Sequence, residues 1–151
     1  MTRVLFVCLG NICRSPSAEA VFRSLLQRAG LAIEVDSAGT GDWHVGEPPC
    51  PGMVHAAAAR GYDLTDLRAR QMAPDDFATF DLILGMDPSN IEDIEALRPA
   101  GDTTPVRMFT DYAPETGATH VPDAYYTRDY DGALDLIVAC AEGLLRRYTG
   151  P

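Results

Sequence analysis

The chain has 151 residues, 46% of them hydrophobic and 23% charged, which is ordinary for one soluble globular domain with a real core. Its net charge of −10, from 12 basic and 22 acidic residues, argues against broad binding to nucleic acid or to an anionic membrane, because both need a positive field. No apolar run is long enough to span a bilayer, and the opening MTRVLFVCLGNICRSP is broken by Asn11 and Arg14 too early for a signal peptide, so a cytoplasmic protein is expected.

The predicted elements follow in chain order. Val4–Cys8 is a near-continuous apolar run, as in a strand covered on both faces. A helix should start at Pro16, carry Val21, Phe22, Leu25, Leu26 and Ala29 on one face, and stop at Gly30. A second strand is expected over Ile33–Asp36, before the turn-rich SAGTGDWHVGEPPCPG. Met53–Arg60 reads as helix, Asp81–Met86 as a third strand, and a helix through Ile91, Ile94 and Leu97 should end at Pro99. Val106–Phe109 is a short fourth strand, and a polar loop runs from it to about Asp131. The closing helix should bury Leu134, Ile137, Val138, Ala141 and Leu145. Strands alternating with helices imply an α/β fold, a parallel sheet with helices on both faces, since parallel neighbours need crossover connections. Ligands in such sheets sit beyond the carboxyl ends of the strands, and Cys8 closes the first one.

The loop after that strand is Cys8-Leu9-Gly10-Asn11-Ile12-Cys13-Arg14-Ser15. A bare C-x5-R match is weak evidence, as chance alone supplies roughly 0.3 matches in a chain of this composition. Context strengthens it: the Cys ends a buried strand, Gly10 and Asn11 suit a tight left-handed turn, and the Arg precedes a helix start. Backbone N–H groups of such a loop can turn inward and cradle a phosphate dianion at the positive end of the helix. Arg14 can grip two phosphate oxygens at once. The same positive field favours thiolate over thiol at Cys8, and Ser15 can donate a hydrogen bond to the sulfur. Expelling an alkoxide or phenolate also needs an acid, for which Asp123 in VPDAYY is the best candidate.

Cys8, Cys13, Cys50 and Cys140 form no C-x-x-C pair, and the length does not call for a disulfide framework. Cys13, near Cys8 in a curled loop, is a candidate to capture an oxidised Cys8 as a disulfide, which would make the site redox-sensitive; Cys50 has no assigned role. His44, His55 and His120 lack metal-ligand spacing, so no metal site is expected.

The sequence resembles the low-molecular-weight protein-tyrosine phosphatase family over essentially its whole length. CLGNICRSPSAEAVF carries most of the likeness, with DSAGTGDW, the RQ of Arg70–Gln71, LILGMDPSN and VPDAYY in the same order. The resemblance implies a flavodoxin-like fold with a four-stranded parallel sheet, formed as a single domain over residues 1–151. It implies Cys8 as nucleophile, Arg14 as phosphate clamp and Asp123 as general acid, with Ser15 supporting the thiolate and Asn11 and Ser37 holding the loop's shape. Leu9, Trp43, Tyr125 and Tyr126 resemble the walls around a phosphotyrosine ring, and the two tyrosines match family phosphorylation positions. The expected partner is a phosphotyrosine-containing protein or a small aryl phosphate, acted on by a monomer or weak dimer without a cofactor. Two departures stand out: Ala124 follows the acid where relatives often have Pro, and Leu67 stands where many have His. Two rivals share parts of this pattern. An arsenate reductase of the same fold needs resolving cysteines that DLILGMDPSNIEDIE lacks, and a phosphocysteine carrier domain needs neither the acid nor the aromatic wall.

Overall fold

The computed structural model describes residues 1–150. Four strands, β1 (Arg3–Cys8), β2 (Glu34–Gly39), β3 (Leu82–Gly85) and β4 (Val106–Met108), form one parallel sheet in the order β2-β1-β3-β4. Its helices are α1 (Arg14–Ala29), α2 (Pro51–Ala58), α3 (Asp76–Thr79), α4 (Pro88–Ala96), α5 (Ala124–Thr127) and α6 (Tyr130–Thr149).

β1 is central, and Val4 to Val7 are fully buried, which is why its sequence is unbroken apolar rather than alternating. Its side chains divide between two cores. Val4, Phe6 and Cys8 face the layer of α1 and α6, while Leu5 and Val7 pack with Ile83, Phe77 and Ile94 on the other side. Phe6 meets Phe22 and Phe109 edge-on, with ring centroids 5.9 and 5.2 Å away. Truncating Phe6 to Ala at this junction would cost about 3–5 kcal/mol.

The register pairs Cys8 with Gly39 and Val7 with Gly85, so β1, β2 and β3 end at the same edge of the sheet. That edge is where the chain turns into the helices. α1 stops at Gly30, whose φ of 70° and N–H bonds back to Leu26 and Gln27 close the last turn. Asp87 and Asn90 form a capping box at the start of α4, behind Pro88, and Asp129 caps α6.

Several boundaries differ from the sequence expectation. α1 begins at Arg14 rather than Pro16, which places Arg14 and Ser15 in its first turn. β2 runs on to Gly39 because its pairing with β1 continues to the end of that strand. The closing helix turns Leu134, Ile137, Cys140, Ala141 and Leu144 inward, whereas Val138 and Leu145 are only partly buried. α3 and α5, four residues each, lie in segments with no helical period to read.

Candidate active site

The loop between β1 and α1 is shaped by a few local constraints. Asn11 takes the left-handed conformation with φ 57°, which Asn tolerates better than most side chains. Gly10 does not share it; a Cβ there would lie 2.9 Å from the His44 ring. Gly39 on β2 is required by close approach, since a Cβ would fall 2.7 Å from the Leu9 carbonyl oxygen and 3.2 Å from the Asn11 nitrogen. The Thr40 and Gly41 N–H groups bond the carbonyls of Cys8 and Leu9 and fix the loop's outer strand.

These constraints leave the inner side of the loop rich in donors. The N–H groups of Ile12, Cys13, Arg14 and Ser15 donate to no acceptor among the described residues. α1 has neither a capping side chain nor an acid in its first turn, unlike α4, α5 and α6, each capped by Asp. An uncapped helix start with free amides is an anion site.

Cys8 Sγ lies at the floor, where the Asn11 N–H donates to it across 3.2 Å and Ser15 Oγ stands 3.0 Å away. Both can stabilise negative charge on sulfur. Behind them, Asn11 Nδ2 donates to Ser15 Oγ at 2.8 Å and to Ser37 Oγ at 2.9 Å, while the Arg70 N–H donates to Asn11 Oδ1 at 2.9 Å. Ser37 therefore braces the loop from β2 without entering the pocket.

Arg14 is 3% exposed, and its guanidinium is held by three acceptors. Nη1 donates to Asp87 Oδ2 at 2.7 Å and to the Val121 carbonyl at 3.1 Å, and Nη2 lies 3.4 Å from Asp123 Oδ2. Asp87 went unnoticed in the sequence, although it follows β3 by two residues in LILGMDPSN, at the sheet edge where ligands bind. Its two oxygens do separate jobs: Oδ1 caps α4 and Oδ2 holds Arg14.

Asp123 sits at the mouth. Its Oδ1 accepts the Tyr125 N–H as the cap of α5, so a side-chain hydrogen bond restrains this carboxyl where a following Pro would otherwise do so. Together with Cys8, Leu9, Ile12 and Arg14, Asp123 lines a pocket of about 220 Å³. Its rim is aromatic. Trp43 and Tyr126 are 70% and 72% exposed, and Tyr125 packs on Tyr126 with ring centroids 5.1 Å apart. The predicted site residues thus converge, with Ser37 one step behind. His44 joins them on the rim, 5.9 Å from the Tyr125 ring and bonded to Glu47; nothing in its spacing marked it.

The cysteines need correction. Cys13 is not a free thiol beside Cys8: it is joined in a disulfide to Cys50, 37 residues away, with Cα atoms 5.7 Å apart. Cys50 also donates its N–H to the Ile12 carbonyl at 2.7 Å, so it ties the loop to the start of α2. The free cysteines are Cys8 and Cys140, and burial pushes the Cys140 thiol up to about 12, which leaves it an inert core residue.

Comparison with known proteins agrees with this geometry. The family model described as low molecular weight phosphotyrosine protein phosphatase matches residues 3–149. The low molecular weight protein-tyrosine-phosphatase YfkJ of Bacillus subtilis is 41% identical over 147 residues, 96% of this chain and 94% of that protein. Its namesake in Streptomyces coelicolor is 43% identical over 150 residues, 95% of this chain and 91% of the relative. The crystal structure of Bacillus subtilis YfkJ superposes with a TM-score of 0.94 at 40% identity, covering 99% of this chain and 95% of the other. The protein tyrosine phosphatase of Entamoeba histolytica gives 0.93 at 32% identity, covering 99% and 97%. A buried cysteine and arginine in an amide-lined loop, a carboxyl at the mouth and this full-length likeness have one common explanation: the chain belongs to the low molecular weight phosphotyrosine protein phosphatase family.

Proposed function

We propose that the chain, acting as one domain, hydrolyses phosphotyrosine and small aryl phosphates through a cysteinyl-phosphate on Cys8. The observation that carries this reading is the convergence of Cys8 Sγ, the free amides of the loop and the buried Arg14 guanidinium beneath an aromatic rim. In the first step the Cys8 sulfur attacks phosphorus, the S–P bond forms, and the P–O bond to the phenol breaks. Asp123 gives its proton to the departing oxygen. Arg14 and the loop amides stabilise the charge on the equatorial phosphate oxygens. In the second step Asp123, now a base, takes a proton from water. The resulting attack releases phosphate and returns the sulfur to the donors of Asn11 and Ser15.

Trp43 and the two tyrosines support an aromatic substrate, since their faces can stack on a phenyl ring 5–7 Å from their own centroids. The partner is a phosphotyrosine-bearing protein or a small aryl phosphate; a surface of net charge −10 does not favour nucleic acid. Cys8, Arg14 and Asp123 meet in one pocket of a single chain, so the reaction needs no residue from a second copy. Comparing kcat/KM on matched phosphotyrosine and phosphoserine peptides tests the substrate class. A preference for phosphotyrosine of several hundredfold or more is expected, on the order of what a lost ring and a shorter reach cost. Equal efficiency would refute the aromatic wall.

A further inference from the structure

The hydrogen bonds behind the phosphate loop continue beyond Ser37. Ser37 Oγ donates to Glu19 Oε1 at 2.6 Å, and Arg23 Nη2 donates to Glu19 Oε2 at 2.6 Å. Glu19 is only 4% exposed, on α1, one turn beyond the loop, and the reaction as described has no use for it. Holding a carboxylate in such a place is unfavourable unless its bonds are good and directed.

Those bonds fix the direction of every proton down to the sulfur. An ionised carboxylate only accepts, so the one Ser37 proton points to Glu19. Ser37 Oγ then accepts from Asn11 Nδ2. The Asn11 amide cannot turn over, because the Arg70 N–H needs its oxygen on the other side. The second Asn11 proton therefore goes to Ser15 Oγ. With that oxygen already accepting, the Ser15 proton is left for Cys8 Sγ at 3.0 Å or the Ala38 carbonyl at 3.4 Å, and the nearer, charged acceptor takes it.

We propose that Glu19 is a positioning residue for Cys8: its carboxylate takes the Ser37 proton and so holds the Ser37 oxygen as the acceptor that anchors the Asn11 amide, which in turn places Ser15 to donate to the sulfur. The inference rests on Cys8 being the nucleophile. The charged groups around Glu19 are few. Arg23 lies on its own helix; Asp36 lies beside Ser37 on β2 and is itself paired with Arg70, which also holds Asp76. Burial pushes the Glu19 carboxyl above its ordinary 4.5, Ser37 and Arg23 pull it back, and Asp36 adds a smaller upward push. Protonated Glu19 can donate to Ser37 and release the Ser37 proton, so the anchor of the Asn11 amide weakens on the acid side.

Glu19→Gln makes the test specific. Arg23 Nη2 also donates to the Val35 carbonyl at 3.0 Å and stays in place, so the Gln oxygen meets that donor and the Gln –NH2 faces Ser37. Ser37 then accepts from Gln as well as from Asn11, and its own proton has lost the carboxylate that held it. The volume is unchanged while the anchor of the chain is lost.

The experiment is the pH profile of Cys8 alkylation by iodoacetate on the full-length protein, assigned by peptide mass spectrometry. It compares wild type, Glu19→Gln, Ser37→Ala and the double variant, each checked by thermal melting. The expected result is a profile displaced to higher pH for Glu19→Gln, with alkylation roughly tenfold slower on the acid side, the scale of one hydrogen bond to a charged atom. The double variant should be no slower than the slower single one, because both act through one chain. A Glu19→Gln profile that overlays wild type, or losses that simply multiply in the double variant, overturns the proposal. Should Glu19→Gln fail to fold, Arg23→Met serves: it removes the counter-charge, so Glu19 takes up its proton at higher pH and the acid limb moves up, and an unmoved limb overturns the proposal. Alkylation needs no substrate, so the readout is separate from the phosphatase reading, which fails if Cys8→Ser retains turnover.

Discussion

Cys13 and Cys50 are covalently joined across 37 residues, so the inner turn of the phosphate loop is clamped to the first turn of α2. Cross-linking a loop of that length removes chain entropy from the unfolded state equivalent to about 4 kcal/mol. Denaturant unfolding should therefore show Cys50→Ser, or wild type treated with a dithiol, destabilised by up to about that amount, with a steeper slope because the unfolded chain without the cross-link is less compact. Identical midpoints for oxidised and reduced wild type would remove the clamp from the account of stability.

The same bond changes the expected response to peroxide. While Cys13 is held by Cys50, it cannot capture a sulfenic acid on Cys8, and oxidation at Cys8 runs on to irreversible states. Enzyme reduced beforehand, with Cys13 free, should recover activity with a dithiol after peroxide treatment, while the disulfide form should not. Equal recovery of both forms contradicts this coupling.

Asp87 anchors Arg14 at 2.7 Å with one oxygen and caps α4 with the other. Asp87→Asn keeps the cap, since Asn is as good an N-cap as Asp, but its –NH2 meets the guanidinium donor to donor. Activity should fall roughly tenfold to a hundredfold in kcat/KM, the cost of a misplaced phosphate clamp, while the melting temperature stays near wild type. Loss of stability with preserved activity would reverse the two roles.

Much of this site is legible in the sequence because it is local. Cys8 closes an unbroken apolar strand, Arg14 follows within one turn, and free amides come with any loop that leads into an uncapped helix. What sequence reading misses is either long-range or set by capping. Asp87 is 73 residues from Arg14, and Cys50 is 37 from Cys13, with nothing in their spacing to pair them. α5 is a four-residue turn that exists because the Asp123 carboxylate accepts the Tyr125 N–H, so it has no apolar period to detect. In α6 the buried stripe runs through Cys140 to Leu144 rather than Leu145, a one-residue drift that periodicity alone cannot fix at a helix's end.

Asp123 reaches the pocket mouth while anchored as the cap of α5, within 3.4 Å of Arg14. As the proposed acid of the first step, it matters most when the leaving phenol is weakly acidic. Asp123→Ala should lower kcat/KM, which reports formation of the S–P bond, by roughly a hundredfold or more for phenyl phosphate, within the usual range for a general acid, and far less for an aryl phosphate of a very acidic phenol. Equal slowing of both substrates would move the acid role elsewhere.

In the proposed reaction phosphate passes through the Cys8 sulfur. Asp123→Ala with an aryl phosphate of a very acidic phenol should still form the S–P bond but lack the base that activates water, so the intermediate should accumulate. Acid quenching and peptide mass spectrometry are then expected to find one phosphate, on Cys8, with Cys8→Ser in the same background unlabelled and inactive. Phosphate on any other residue, or turnover that survives Cys8→Ser, would contradict the account.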